Sequence, residues 1–284
     1  MKVSSFSKFA LLSLLVGVLA LALTGCGSSS SNNLALTPGN WSVTATSTSA
    51  GVIVHNNVHR DVESGNIFYI GGNLAQTGSS VAGTMYAVGS CIDSSQAITF
   101  TGTVEGNNVT LTSASAGGQV VTLKATGTAS TAGAAVSALT GTYTVTGGCD
   151  DGDSGTATAN AVPSISGTWS GPIQDSFDDP NAVLSVALTQ ASTASSDGTF
   201  ALTGTVTYTN SSCSASGTIT SGSIAGSYVM VNASTVDQDG EQGSFSYTEV
   251  QLDSTTAPKN MTGSYYVNEG YCADDNYTTT LTKQ

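Results

Sequence analysis

Side chains equipped for chemistry are sparse in this chain, and most of them are acidic or aromatic. His55 and His59 are the only two histidines. In one extended strand, residues four apart share a face, so the pair could ligate a metal ion together. They sit beside Arg60 and Asp61, and a solvated loop is the competing reading. Aspartates gather in four stretches: Asp150-Asp151-Gly152-Asp153, Asp175 with Asp178-Asp179, Asp237-x-Asp239-Gly240-Glu241, and Asp274-Asp275. Calcium takes several oxygen ligands, and Asp150, Asp151 and Asp153 are the candidate set, although no stretch completes an EF-hand loop. A surface acidic turn is the alternative. Tyr265, Tyr266, Tyr271 and Tyr277 crowd the C-terminal stretch, and Tyr266 with Tyr271 could offer a face on which a sugar ring stacks.

Catalytic signatures are missing. The chain has no Gly-x-Ser-x-Gly, no His-Glu-x-x-His and no phosphate-binding loop. A Ser/His/Asp triad would have to draw on His55 or His59. Paired carboxylates for glycoside hydrolysis are available, but no pair is singled out. The sequence therefore nominates no catalytic residue, and we expect no enzyme and no cofactor, with calcium the one ion weighed.

Cys26 has a different chemistry. Lys2 and Lys8 precede an apolar run from Phe9 to Leu23, which ends in Leu23-Thr24-Gly25-Cys26. The run is shorter than the roughly 20 residues a membrane-spanning helix needs. Small residues at 24 and 25 admit a peptidase, and the Cys26 thiol can take a diacylglyceryl group. The stretch resembles the lipobox of bacterial lipoprotein signal peptides. That resemblance implies a signal peptide over 1–25, an acylated Cys26, and a flexible linker through residue 38 that includes Gly27-Ser28-Ser29-Ser30-Ser31. Gly27, rather than an aspartate, resembles lipoproteins sorted to the outer membrane, so the expected location is the outer membrane, lipid-anchored.

Charge narrows the partners. The formal net charge is −13, and removing Lys2 and Lys8 with the leader leaves four cations against 19 acidic residues. So acidic a chain, with no basic patch, repels phosphate backbones and is not expected to bind nucleic acid. Hydrophobic residues make up 39% of the chain, arranged in alternating runs rather than in the polar composition of disorder.

The chain repeats itself. Gly39-Asn40-Trp41-Ser42 returns as Gly167-Thr168-Trp169-Ser170. Asn73-Leu74-Ala75-Gln76 returns as Ala187-Leu188-Thr189-Gln190, and Leu139-Thr140-Gly141-Thr142-Tyr143 as Met261-Thr262-Gly263-Ser264-Tyr265. Extra residues fall at 49–66 in the first copy and 193–200 in the second, as loop insertions do on a shared framework. The two β-domains span 39–162 and 163–284. In the first, alternating runs near 40–47, 66–76, 81–88, 97–104, 108–113, 119–126, 140–147 and 154–160 predict strands, with a Gly106-Asn107 hairpin turn. No helical period appears past residue 34. The fold class is all-β: two tandem antiparallel eight-strand meanders, with a barrel favoured over a sandwich because closure removes edges that few charges are available to protect.

Four cysteines remain once Cys26 is set aside, and exported chains usually oxidise them. They allow three pairings, and the duplication selects Cys91 with Cys149 and Cys213 with Cys272, one bridge per copy. A zinc site lacks the Cys-x-x-Cys spacing. Trp41 and Trp169 read as core plugs rather than ligand-stacking residues, and Tyr143 with its counterpart Tyr265 as packing residues. A Gly-x-Trp on the first strand of such a meander, with Ala201-Leu202-Thr203-Gly204-Thr205 further on, resembles avidin- and lipocalin-style small barrels. The whole chain resembles two-repeat envelope lipoproteins. Neither resemblance supplies a ligand. The expected function is a lipid-anchored, non-catalytic binding or adhesion module for a glycan or small ligand; the alternatives are a structural envelope lipoprotein and, third, a carboxylate-based hydrolase.

Overall fold

Alternation of period two writes the strands. In Phe200–Thr209 the side chains of Phe200, Leu202, Val206 and Tyr208 are buried, and Ala201, Thr203, Thr205, Thr207 and Thr209 face water. Ala138–Thr146 repeats the pattern, with Leu139, Tyr143 and Val145 inside and four threonines outside. Threonine on the outer face keeps β-branched stiffness while offering water a hydroxyl. Such a strand has one apolar face and must cover it.

The computed structural model describes residues 33–48, 51–55, 58–62, 67–88, 96–131, 133–174, 181–211, 216–237, 239–268 and 275–284. Residues Leu34–Gln284 form one unit that holds two closed eight-strand barrels. The first barrel is built from β1 (Gly39–Ser47), β4 (Ile67–Thr77), β5 (Ser80–Val88), β6 (Ile98–Glu105), β7 (Asn108–Ser113), β8 (Val120–Gly127), β9 (Ala138–Thr146) and β10 (Ser154–Ala161). The second runs β11 (Gly167–Pro172), β12 (Val183–Gln190), β13 (Phe200–Thr209), β14 (Ser216–Ala225), β15 (Tyr228–Val236), β16 (Gln242–Leu252), β17 (Asn260–Asn268) and β18 (Asp275–Lys283). Neighbouring strands are antiparallel. β1 closes the first barrel by pairing with both β4 and β10, and β11 closes the second against β12 and β18. All eight expected strands of the first copy are present, and the barrel is the outcome over the sandwich.

The 49–66 insertion carries a ribbon of its own, β2 (Gly51–His55) paired with β3 (Val58–Val62). His55 and His59 therefore stand on two different strands, at register positions opposite Val58 and Val54. Helix is confined, among the described residues, to a single 3-10 turn at Gly148–Asp150, and no described helix is long and apolar enough to cross a membrane.

The duplication extends to individual hydrogen bonds. The Trp41 indole donates to Thr37 O at 2.8 Å, and Trp169 donates to Ile165 O at 2.8 Å. The Gln76 side-chain oxygen accepts from the Leu36 amide at 2.7 Å, and Gln190 Oε1 accepts from the Ile165 amide at 3.0 Å. Both tryptophans are fully buried at the entry to their barrels. In the first barrel, the space among Val43, Leu74, Leu111 and Leu123 amounts to about 20 Å³ and is walled by apolar side chains. A void that small and apolar holds a water at most, so this interior is packed rather than a ligand cup.

Candidate functional site

The residues that set the second copy apart from the first build the site. β12 and β13 are joined by 191–199, where the first copy links β4 to β5 through Gly78 and Ser79 alone. The β14–β15 hairpin is longer than its counterpart β6–β7. The tip of that hairpin docks on the outer wall of the first barrel, where the Asn40 side chain bonds the backbone of Gly226 with both arms. Nδ2 donates to Gly226 O at 2.9 Å, and Oδ1 accepts from Gly226 N at 2.7 Å. Asn40 is buried, and this peptide-like pairing satisfies an amide that burial would otherwise leave costly. Gly71 lies against the same tip: a Cβ there would fall 2.6 Å from Ala225 O and 2.8 Å from Gly226 Cα.

Beside this seam the barrels leave an open groove of about 1010 Å³. The first barrel contributes Tyr69 and Tyr86 from β4 and β5; the second contributes Asp197, Thr199, Tyr228, Met230, Glu249 and Gln251, with hydroxyls from Ser221 and Ser223. The rings of Tyr69 and Tyr228 meet edge to face across the seam, centroids 5.8 Å apart. Gln251 Nε2 donates to the Tyr228 hydroxyl at 2.9 Å, and the Tyr86 hydroxyl donates to Asp197 Oδ2 at 3.3 Å. Asp197 Oδ1 accepts from the Thr199 amide at 3.1 Å and from its hydroxyl at 2.9 Å. Met230 is the exposed large hydrophobic side chain among the described residues, at 43%.

The electrostatics follow from these contacts. Burial pulls the Asp197 carboxyl upward, but the Thr199 amide and hydroxyl and the Tyr86 hydroxyl outweigh it and hold it below the usual carboxylate range. Tyr86 is pushed up, first by burial and then by the Asp197 charge, and Tyr228 by burial and then by Tyr69. Both rings stay neutral donors at neutral pH. No lysine or arginine is among the lining residues. Glu249 sits at φ 53°, where the β15–β16 and β16–β17 registers both shift. A bulge re-aims a side chain, and here the carboxylate faces the groove while the flanking Val250 is fully buried.

The residues singled out from sequence lie elsewhere. Asp150, Asp151 and Asp153 do not converge on a metal, and no group of three or more potential ligands occurs among the described residues. Asp153 is buried instead, its Oδ1 accepting from Ser47 Oγ at 2.7 Å and its Oδ2 from the Tyr143 hydroxyl at 2.8 Å. Asp151 Oδ1 accepts from the Gly147 amide at 2.6 Å, and Gln119 Nε2 lies 3.4 Å from Asp150 Oδ2. Asp153 staples the turn internally, both of its carboxylate oxygens being taken by hydroxyls. Tyr143 is pushed far above its ordinary value by burial and then by Asp153. Tyr265 is buried, and its hydroxyl donates to Gln174 O, a packing role as expected. Tyr266 is half-buried on β17, opposite Ser246 and Asn276, away from the groove. Cys149 follows β9, with Gln119 Nε2 3.2 Å from its sulfur. Cys26, Cys91, Cys213, Cys272 and Tyr271 lie outside the described residues.

The groove tyrosines escaped the sequence reading, yet they carry a signal. Tyr86 stands between Met85 and Ala87, both buried, and Tyr69 precedes the buried Ile70. Both fall on the outward phase of their strands, in line with small or polar residues such as Asn73, Ala75, Ala82 and Thr84, and an aromatic ring there has no core to fill. Compared with known proteins, the chain matches no family model, no curated protein and no solved structure.

Proposed function

We propose that this chain is an exported envelope protein, tethered to the outer membrane through an acylated Cys26, that binds a glycan non-catalytically in the groove between its barrels. The groove carries the reading. Aromatic rings on outward strand positions, hydroxyls from Thr199, Ser221 and Ser223, and a fixed carboxylate make the lining that a polyhydroxylated ligand requires: apolar faces for its C–H surfaces and short donors and acceptors for its hydroxyls. A hydrolase reading would use Asp197 and Glu249, the two carboxylates of the lining. Glycoside hydrolysis needs a general acid whose pKa is raised. Asp197 is shifted the other way, so it does not suit the acid role.

The groove is tested by calorimetric titration of the soluble two-barrel protein with an oligosaccharide panel. Tyr228→Ala is expected to weaken binding about tenfold or more, the loss of a stacking ring, while Tyr266→Ala leaves it unchanged. The reverse pattern would move the site to β17. The tether and the bridges are tested separately. Mass spectrometry of membrane-extracted protein should find an acylated N-terminal Cys26, and non-reducing peptide maps should join Cys91 to Cys149 and Cys213 to Cys272. An unmodified Cys26, or a bridge between the copies, overturns that part of the proposal.

A further inference from the structure

We infer that the glycan taken by the groove carries free protonated amines, and that Glu249 is the residue that reads their charge. The inference rests on the groove as the binding site and adds the ligand's charge. The Glu249 side chain makes no hydrogen bond or ion pair with any described residue. Its backbone holds φ 53°, a left-handed conformation that costs a glutamate free energy and that glycine adopts readily. Asn210 is the other described non-glycine residue at positive φ, and it is not among the lining residues. An unpaired carboxylate, kept at a strained bulge and aimed into a groove, awaits a cation that the protein does not supply.

The rest of the lining agrees. Asp197 adds a second negative charge, held ionised by Thr199 and Tyr86. Tyr69 and Tyr228 present ring surface to the same space, and an ammonium group over a tyrosine face is attracted by the ring quadrupole. With no lysine or arginine in the lining, uronic acids, phosphorylated sugars and teichoic-type polymers meet only like charge. Hydroxyls from Ser221 and Ser223 favour a sugar over a lysine-rich peptide, whose aliphatic stems offer them no partner. The occupant that satisfies charge, rings and hydroxyls together is a linear oligomer of 2-amino sugars with unacetylated amines.

The test titrates the intact protein with a glucosamine tetramer, its fully N-acetylated form, a neutral glucose tetramer, a uronate tetramer and tetralysine, at low and high salt. The expected result is that the free-amine tetramer binds about tenfold or more tighter than the N-acetylated form, with the advantage shrinking as salt rises. Glu249→Gln should erase that advantage, so that the two tetramers bind alike. Glu249→Gly should do the same while raising the melting temperature, since it removes the strain along with the charge. Equal or better binding of the neutral or N-acetylated sugar overturns the charge inference and leaves the groove reading standing. Tighter binding of tetralysine overturns the sugar. No binding by any member, with Tyr228→Ala also without effect, overturns the groove itself.

Discussion

Gly71→Val separates the two barrels and removes the groove while each barrel stays folded. The β-carbon would land on the backbone of Ala225 and Gly226, and backbone atoms cannot rotate aside as a side chain does. Gly226 cannot retreat, because it holds a left-handed φ of 59° and both arms of Asn40 bond it. The hairpin tip must lift. Lifting it gives up both Asn40 hydrogen bonds to Gly226, about 0.5–1.5 kcal/mol net for each once water takes the partner's place. Small-angle scattering should show an increased radius of gyration, ring contacts between Tyr69 and Tyr228 should vanish from NMR spectra, and binding in the groove should be lost. Asn40→Ala is the companion variant, removing the bonds without the clash. Unchanged scattering and unchanged binding for both variants would sink the idea that this seam fixes the groove.

Trp169→Ala is expected to cost the second barrel about 3–5 kcal/mol, and Trp41→Ala the first barrel a similar amount, the usual range for emptying a buried tryptophan site. Each indole is fully buried and ties its N–H to a carbonyl four residues earlier. Truncation thus leaves a cavity and an unpaired acceptor together. Against total stabilities of about 5–15 kcal/mol for a domain, the loss is large enough to split unfolding into two steps, the mutated barrel melting first. Trp169→Phe keeps most of the volume and isolates the hydrogen bond, at about 1 kcal/mol. Equilibrium denaturation read by circular dichroism measures all three variants. A loss below about 1 kcal/mol for either alanine variant would mean that the indole is not the plug.

Much of this fold is legible without coordinates, for a local reason. A strand's buried face is set by alternation, and Phe200-x-Leu202 or Leu139-x-x-x-Tyr143-x-Val145 declares its inner side residue by residue. The Gly106-Asn107 turn names its hairpin, and the two Gly-x-Trp openings announce the duplication. Where local spacing leaves a residue's role open, the deciding contact is distant. Asp153 looks like a metal ligand until Ser47, on a strand far away in sequence, donates to it. His55 and His59 are four apart in sequence, yet they belong to two different strands.

The sequence by itself determined the class, the duplication, the strand phases and the two tryptophan plugs, because each rests on spacing within a short window. Only the tertiary structure decided where a ligand could sit. Tyr69, Tyr228, Asp197 and Glu249 come from four separate stretches of chain, and nothing in their local spacing draws them together. They meet because Gly71 leaves room for the Gly226 tip, and Asn40 then holds it there. Period-two alternation encodes which side of a strand faces out; which outer wall then meets another is a matter of shape and close approach between distant backbones, and alternation does not record that.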